Sequence, residues 1–165
     1  MTTQSVRQIT EHDVEAVRSL RLRALLDAPY AFSARYEDVA ARSIAEWKSR
    51  VATWCRAETE TCFLGFSDLD AVGMCGVECT TLPRANLVAL WVDPDHRGKH
   101  LAGELVEAVC QFARQALATE VSAWVFESNE RALRFYANRG FALFPDRRAY
   151  LPDPTKRELL TLKVL

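Results

Sequence analysis

The stretch NLVALWVDPDHRGKHLAGELVEAVCQFA, residues 86 to 113, changes character twice within its length. Asn86 to Val92 is apolar almost throughout, Asp93-Pro94 breaks the run, and beyond Gly98 the residues Leu101, Leu105, Val109, Phe112 and, further on, Ala116 recur at helical spacing. A short apolar run bounded by turn residues reads as a strand buried on both faces. The recurrence predicts about four turns of helix with one apolar stripe. The centre of a sheet lies here.

The junction between the two carries Arg97, Gly98, Lys99 and His100. A helix start exposes several backbone N–H groups that have no partner inside the helix, and the aligned peptide dipoles make that end attractive to anions. Gly98 and Ala102 keep the approach open, while Arg97 and Lys99 add cationic side chains, so the segment suits a phosphate. It lacks the second glycine followed by Lys and Ser/Thr of a Walker loop, and it lacks the three-glycine dinucleotide fingerprint. An ordinary helix start with solvated charges is the competing reading.

Outward from this unit the pattern alternates. Val6 to Ile9 reads as a strand, and Thr10-Glu11-His12-Asp13 resembles a capping box that opens a helix carrying Val14, Val17, Leu20 and Leu25, ending near Ala28-Pro29. A second helix is expected from Ser43, with Glu46 three residues on and Ile44, Trp47, Val51 and Trp54 on one stripe. Between them, DAPYAFSARYEDVA reads as an aromatic-rich linker. Thr61 to Phe66 and Val72 to Cys79 form a strand hairpin, and Val121 to Phe126 is a further buried strand. Glu130 to Arg139 is a short helix stopped by Gly140, and Phe141 to Phe144 and Glu158 to Leu165 are the last strands, with PDRRAYLPDPTKRE as a long loop between them. This order predicts a mixed α/β sheet with helices on both faces.

At 165 residues the chain fits one domain, residues 1–165, and a formal net charge of −1 argues against a nucleic-acid binder that works by basicity. No window of about 18 apolar residues is present to span a bilayer. MTTQSVRQIT lacks the basic start and apolar core of a secretory signal, so a soluble, cytoplasmic protein is expected, with Cys55, Cys62, Cys75, Cys79 and Cys110 reduced. Their spacing is not that of a metal site, and no metal is expected.

A second constellation is SNERALRFYANRGF, residues 128 to 141. Taken together, the two segments resemble the signatures of the general N-acetyltransferase (GNAT) superfamily. The first of these, Arg/Gln, any, any, Gly, any, Gly/Ala, falls on Arg97-Gly98-Lys99-His100-Leu101-Ala102, with His100 in place of the central glycine. The second is matched in full by Asn129, Ala132, Phe135, Tyr136, Gly140 and Phe141.

The resemblance implies a sheet of six to seven strands with about four helices on both faces and a splayed central pair of parallel strands. It implies acetyl-coenzyme A as cosubstrate, with the strand end Leu90-Trp91-Val92 bonding the pantetheine arm and residues Arg97, Gly98, Lys99, His100, Leu101, Ala102 and Gly103 holding the pyrophosphate. Asn129 would bond the cofactor arm or a water. The reaction it implies is direct acyl transfer from thioester to amine through a tetrahedral intermediate. The Val92 N–H would receive the oxyanion, and the Tyr136 phenol would protonate the leaving thiolate.

A base for the amine is harder to read. The position where relatives acting on ribosomal-protein N-termini carry a glutamate is Trp124, and residues 86 to 92 contain no Glu, Asp or His. Glu78 and Glu127 remain as candidates, beside a chain of waters, and His12, His96 and His100 look no better placed. Substrate contacts are expected around Pro29, Phe32 and Tyr36 and in the loop Pro145 to Lys156. A small-molecule primary amine is the preferred acceptor, a protein N-terminus or lysine is the alternative, and a non-catalytic acyl-coenzyme A module is the rival from another class. A homodimer is a common arrangement at this size.

Overall fold

The computed structural model describes residues 3–165. Its seven strands are β1 (Gln4–Gln8), β2 (Glu60–Ser67), β3 (Asp70–Thr81), β4 (Arg84–Val92), β5 (Glu120–Phe126), β6 (Ala142–Tyr150) and β7 (Asp153–Val164), in the sheet order β1-β2-β3-β4-β5-β7-β6. Every neighbouring pair is antiparallel except β4 and β5. The helices are α1 (Val14–Asp27), α2 (Tyr36–Ala40), α3 (Ile44–Arg56), α4 (Leu101–Gln115) and α5 (Glu130–Ala137). No helix among the described residues is long and apolar enough to cross a membrane.

Two apolar clusters hold the layers on either side of the sheet. Val17, Leu20 and Leu25 of α1 and Trp47 and Val51 of α3 pack on Leu64, Met74 and Trp91 from one face. Leu101, Leu105 and Val109 of α4 pack on Cys75, Val77, Leu87 and Val121 from the other. Local signals set the helix ends. The Ser43 N–H donates to Glu46 Oε2 at 2.6 Å and the Glu46 N–H returns a bond to Ser43 Oγ at 3.2 Å, the reciprocal cap expected for α3. Gly140, at φ +83°, follows the last turn of α5 in the left-handed region that favours glycine.

The stripes differ in detail from the sequence pattern. Ile44 is 45% exposed because it sits in the first turn of α3, before the helix reaches the sheet. On α4, Val106, Cys110 and Ala113 complete the buried face, while Phe112 and Ala116 lie at its margin.

Three expectations are corrected. The aromatic linker folds into a 3₁₀ turn at Pro29–Ala31 and the short helix α2, which raises the helix count from about four to five. The long loop between the last strands is a hairpin: β6 and β7 run through it, paired as far as Tyr150 with Asp153. Alternation revealed β6 only to Phe144, because it is an edge strand exposed from Ala142 to Ala149. β4 is not buried on both faces, since Val88, Ala89 and Leu90 are half-buried where its parallel neighbour leaves it.

That departure positions the site. β4 and β5 pair only over Arg84–Asn86 with Glu120–Ser122, although both strands continue. The last joined rung is pinned by the Ser122 hydroxyl, which donates to the Ala85 carbonyl at 3.2 Å.

Candidate active site

Beyond that rung the strands enclose a cleft of about 740 Å3 that reaches from the start of α4 to the underside of α1 and α3. A bulge opens its β4 edge. Met74 to Gly76 on β3 faces Val88 to Trp91 on β4, one residue more, and Ala89 takes the extra place at φ +54°. Past the bulge, the Asp93 N–H bonds the Val72 carbonyl at 2.8 Å, which makes that rung a hydrogen-bonded one. Antiparallel rungs alternate, so Val92, opposite Gly73, turns its N–H and C=O away from β3 and toward the gap. Leu90 lines the cleft beside it, while the Trp91 side chain is buried under α1, its Nε1 donating to Asp27 at 2.9 Å.

At the start of α4, Gly98 has φ +79° and His100 has φ +54°. The position where the family signature has glycine therefore keeps a glycine-like backbone although it carries an imidazole. The N–H groups of Gly98, Lys99, His100 and Ala102 donate to no other described residue, whereas those of Gly103 and Glu104 bond the His100 carbonyl at 2.8 and 3.1 Å. They border a hollow of about 290 Å3 that Leu101, Ala102 and Gly103 also line.

The Arg97 side chain is not one of its free cations. Arg97 Nε donates to the Val92 carbonyl at 2.8 Å and its Nη2 is paired with Asp27, so it clamps the strand end to the end of α1. Burial works against the Asp27 charge, but the bonds from Trp91 and Arg97 outweigh it and hold its pKa below the ordinary carboxylate value. Lys99 is joined at the hollow by Arg131 and Arg139, neither of which was singled out from sequence. Their signal was available: Arg131, Phe135 and Arg139 are spaced by four, one side of α5 and its exit. A Cβ on Gly103 would come within 2.5 Å of Arg139 Nη2, so the missing side chain lets that guanidinium lie against α4, stacked 4.0 Å from the Phe135 ring centre.

Tyr136 is buried beside Phe135 and Phe141, yet it also lines the cleft. Its hydroxyl bonds to no other described residue, and burial, with a smaller contribution from Cys75, raises its pKa well above the ordinary phenol value. Asn129 lines the cleft too, but its Oδ1 is engaged as the cap of α5, accepting from the Ala132 N–H at 3.1 Å. Only its amide N–H groups remain available.

The two carboxylate candidates separate. Glu127 lies on the rim, where its Oε1 accepts from the Arg157 N–H at 3.1 Å, and it does not border the cleft. Glu78 does border it, on the sheet face that looks toward α1 and α3, flanked across the strands by Glu60 and Asn86. Glu158 of β7, read in the sequence only as the first residue of the last strand, is also on the wall, buried and paired with Arg148 at 2.6 Å. His12 is exposed, and His96 and His100 border the hollow at α4.

The far end of the cleft is closed by the β6–β7 hairpin and the segment after α1. Tyr150 Oη donates toward the Phe32 carbonyl at 2.9 Å and lies 3.1 Å from that of Pro29, and its ring packs on Phe126. Of the residues where substrate contacts were expected, Phe32 lines the cleft, Pro29 is held beside it, and Tyr36 packs into the core at the margin of α1 and α3.

A model of the acetyltransferase (GNAT) family matches residues 19–141. No curated protein matches the chain. Among solved structures it is similar to a GNAT-family acetyltransferase from Streptococcus pneumoniae, at TM-score 0.82 and 14% identity over 99% of this chain and 100% of that one. It is similar to the PaiA N-acetyltransferase of Thermoplasma acidophilum, determined in complex with coenzyme A, at TM-score 0.77 and 14% identity over 99% of both chains. A spermidine N-acetyltransferase from Vibrio cholerae, in complex with coenzyme A and spermine, aligns at TM-score 0.78 and 13% identity over 98% of this chain and 95% of that one.

Proposed function

The chain belongs to the acetyltransferase (GNAT) family, and from that premise we propose that it transfers the acetyl group of acetyl-coenzyme A directly to the primary amine of a small molecule. The observation that carries this reading is a hollow bordered by unpaired N–H groups that adjoins, at Val92 and Ala102, a cleft with an open strand edge and Tyr136 in its wall. The residues present fit the cosubstrate. Unpartnered amides of Gly98, Lys99, His100 and Ala102, with Lys99, Arg131 and Arg139 around them, suit a diphosphate, and the free edge Leu90–Val92 suits an amide-bearing arm.

Bound acetyl-coenzyme A supplies an acetyl group activated as a thioester. The Val92 N–H, directed into the gap, donates to the carbonyl oxygen as it gains charge, and the β3 ladder holds that donor in place beforehand. Glu78 receives the proton that the amine must lose, from a wall it shares with Glu60. Tyr136 Oη, kept protonated by its burial, gives a proton to the sulfur. One nitrogen–carbon bond replaces one sulfur–carbon bond, and proton exchange with solvent restores Glu78 and Tyr136.

The tie from Tyr150 to the Pro29 and Phe32 carbonyls holds the segment after α1 against the β6–β7 hairpin beside the acceptor chamber, which favours a small molecule over a protein chain. The five unpaired cysteines agree with a cytoplasmic setting. An amine panel assayed for thiol release, with mass detection of the products, tests the reading. Acetylated small amines are expected. Coenzyme A binding without turnover of any amine would leave a binding module, and turnover of peptide N-termini alone would move the substrate to protein.

A further inference from the structure

Three arginines stand on the helical wall of the acceptor chamber without a paired carboxylate among the described residues. Arg21 projects from α1, Arg42 from the segment before α3 and Arg50 from α3, and all three line the cleft. Each lies over an aromatic ring: Arg21 is 4.8 Å from the Phe32 ring centre, Arg42 5.6 Å from Trp47 and Arg50 5.5 Å from Trp54. None of them forms an ion pair within 4.0 Å among the described residues. The Nη1 of Arg21 is buried with no hydrogen-bond partner at all.

Carboxylates are not scarce in this chain, which has 22 Asp and Glu against 21 Lys and Arg, so the unpaired cluster does not come from a shortage of acids. A guanidinium laid on a ring keeps its N–H edge free, and that edge matches a carboxylate in two parallel bonds. Leaving such a donor buried and unmatched is costly, and the cost disappears when an anion arrives. Burial, and after it the charges of Arg42 and Arg50, lower the Arg21 pKa to about 10, still well above neutral pH. The opposite wall has the other sign. Glu60 and Glu78 are cross-strand neighbours on the sheet face that looks at α1 and α3, and both line the cleft.

We propose that the acceptor is a small amine that also carries a carboxylate, held at that end by Arg21, Arg42 and Arg50 while its nitrogen lies toward Glu78. This assignment rests on the transferase reading above and narrows its substrate to amino acids and their homologues. One charge of each sign on the ligand meets one charged wall of each sign in the chamber, a match that a neutral amine or a polyamine does not offer.

The test is calorimetric titration of the full chain, with coenzyme A present, against the common L-amino acids, β-alanine and γ-aminobutyrate, each beside its own carboxamide. O-phosphoethanolamine is the phosphate control, and thiol release from acetyl-coenzyme A is measured in parallel. At least one acid should bind about tenfold or more tightly than its amide, the weight of a charge-assisted bond. Arg42→Gln and Arg50→Gln, changed outside the buried core, should abolish that preference and leave coenzyme A affinity unaltered, with Arg42→Lys retaining part of it. Failure of every acid to bind, equal binding of acids and amides, or tighter binding of O-phosphoethanolamine than of any acid would overturn the assignment. Acetylation of amides or polyamines without preference would overturn it alone and leave the transferase standing. Arginine-dependent binding of an acid with no acetylation would uphold the carboxylate site and remove the transferase.

Discussion

Arg97 Nε donates to the Val92 main-chain carbonyl at 2.8 Å, so the first residue of the basic junction turns back onto the strand that precedes it. The bond holds the carbonyl of the residue whose own N–H, one peptide earlier, is aimed into the gap. Arg97→Ala should therefore lower stability by about 2 kcal/mol, the weight of charge-assisted bonds to a carbonyl and to Asp27. At this chain length that is a fall in Tm of roughly 4–8 °C. Turnover should fall with it, and the Kd of coenzyme A should change little. Thermal melts and calorimetry decide, and a large loss of coenzyme A affinity with unchanged Tm would return the side chain to the phosphate.

His100 holds a left-handed backbone that costs a side-chain-bearing residue about 1 kcal/mol. His100→Gly should raise Tm slightly and bind coenzyme A at least as well. Gly98→Val, at φ +79°, should do the opposite, strain arising from the backbone because open space surrounds the added atoms. Equal coenzyme A affinity in Gly98→Val and the parent would mean the phosphates sit elsewhere.

Tyr136→Phe removes a hydroxyl that makes no internal hydrogen bond, so Tm should stay within about 0.5 kcal/mol equivalent while kcat falls roughly a hundredfold. Burial raises the pKa of this phenol, so its proton is retained above the usual ionisation range and kcat of the parent should not decline from its loss between pH 8 and 10. A parallel fall in kcat and coenzyme A affinity would assign the hydroxyl to positioning.

Arg7 meets Asp13 through two bonds, of 2.7 and 2.8 Å, and with the Thr10 amide and hydroxyl it holds the Asp13 pKa far below its ordinary value, against the opposing effect of burial. The folded pKa is the lower one, so this stabilisation is complete above about pH 4, where an unfolded Asp is ionised, and is lost as pH falls toward the folded value. Asp13→Asn should cost about 1–2 kcal/mol at pH 7, given the partly exposed partner, and clearly less at about pH 2. Denaturant unfolding at the two pH values measures it. A pH-independent difference would mean the pair contributes geometry only.

What could be read in residue order follows from local physics. The strand, the basic junction and α4 announce themselves because apolar spacing and unpaired N–H groups at a helix start are properties of neighbouring residues, and the reciprocal cap at Ser43 and Glu46 and the stop at Gly140 are equally local. The continuation of β6 beyond Phe144 escaped because its partners lie on β7, and its own side chains are exposed on both faces. Arg97 was misread for a related cause: a cation beside a helix start suits phosphate, and only the approach of Asp27 and the turn of the Val92 carbonyl direct it inward.

The sequence by itself thus determined the class of fold and the family, since each depends on short-range pattern. Only the tertiary structure decided which charges line the cleft. Arg21, Arg42, Arg50, Glu78 and Glu158 come from separate elements, and nothing in their spacing along the chain encodes that the departure of β5 from β4 opens the one space where they meet.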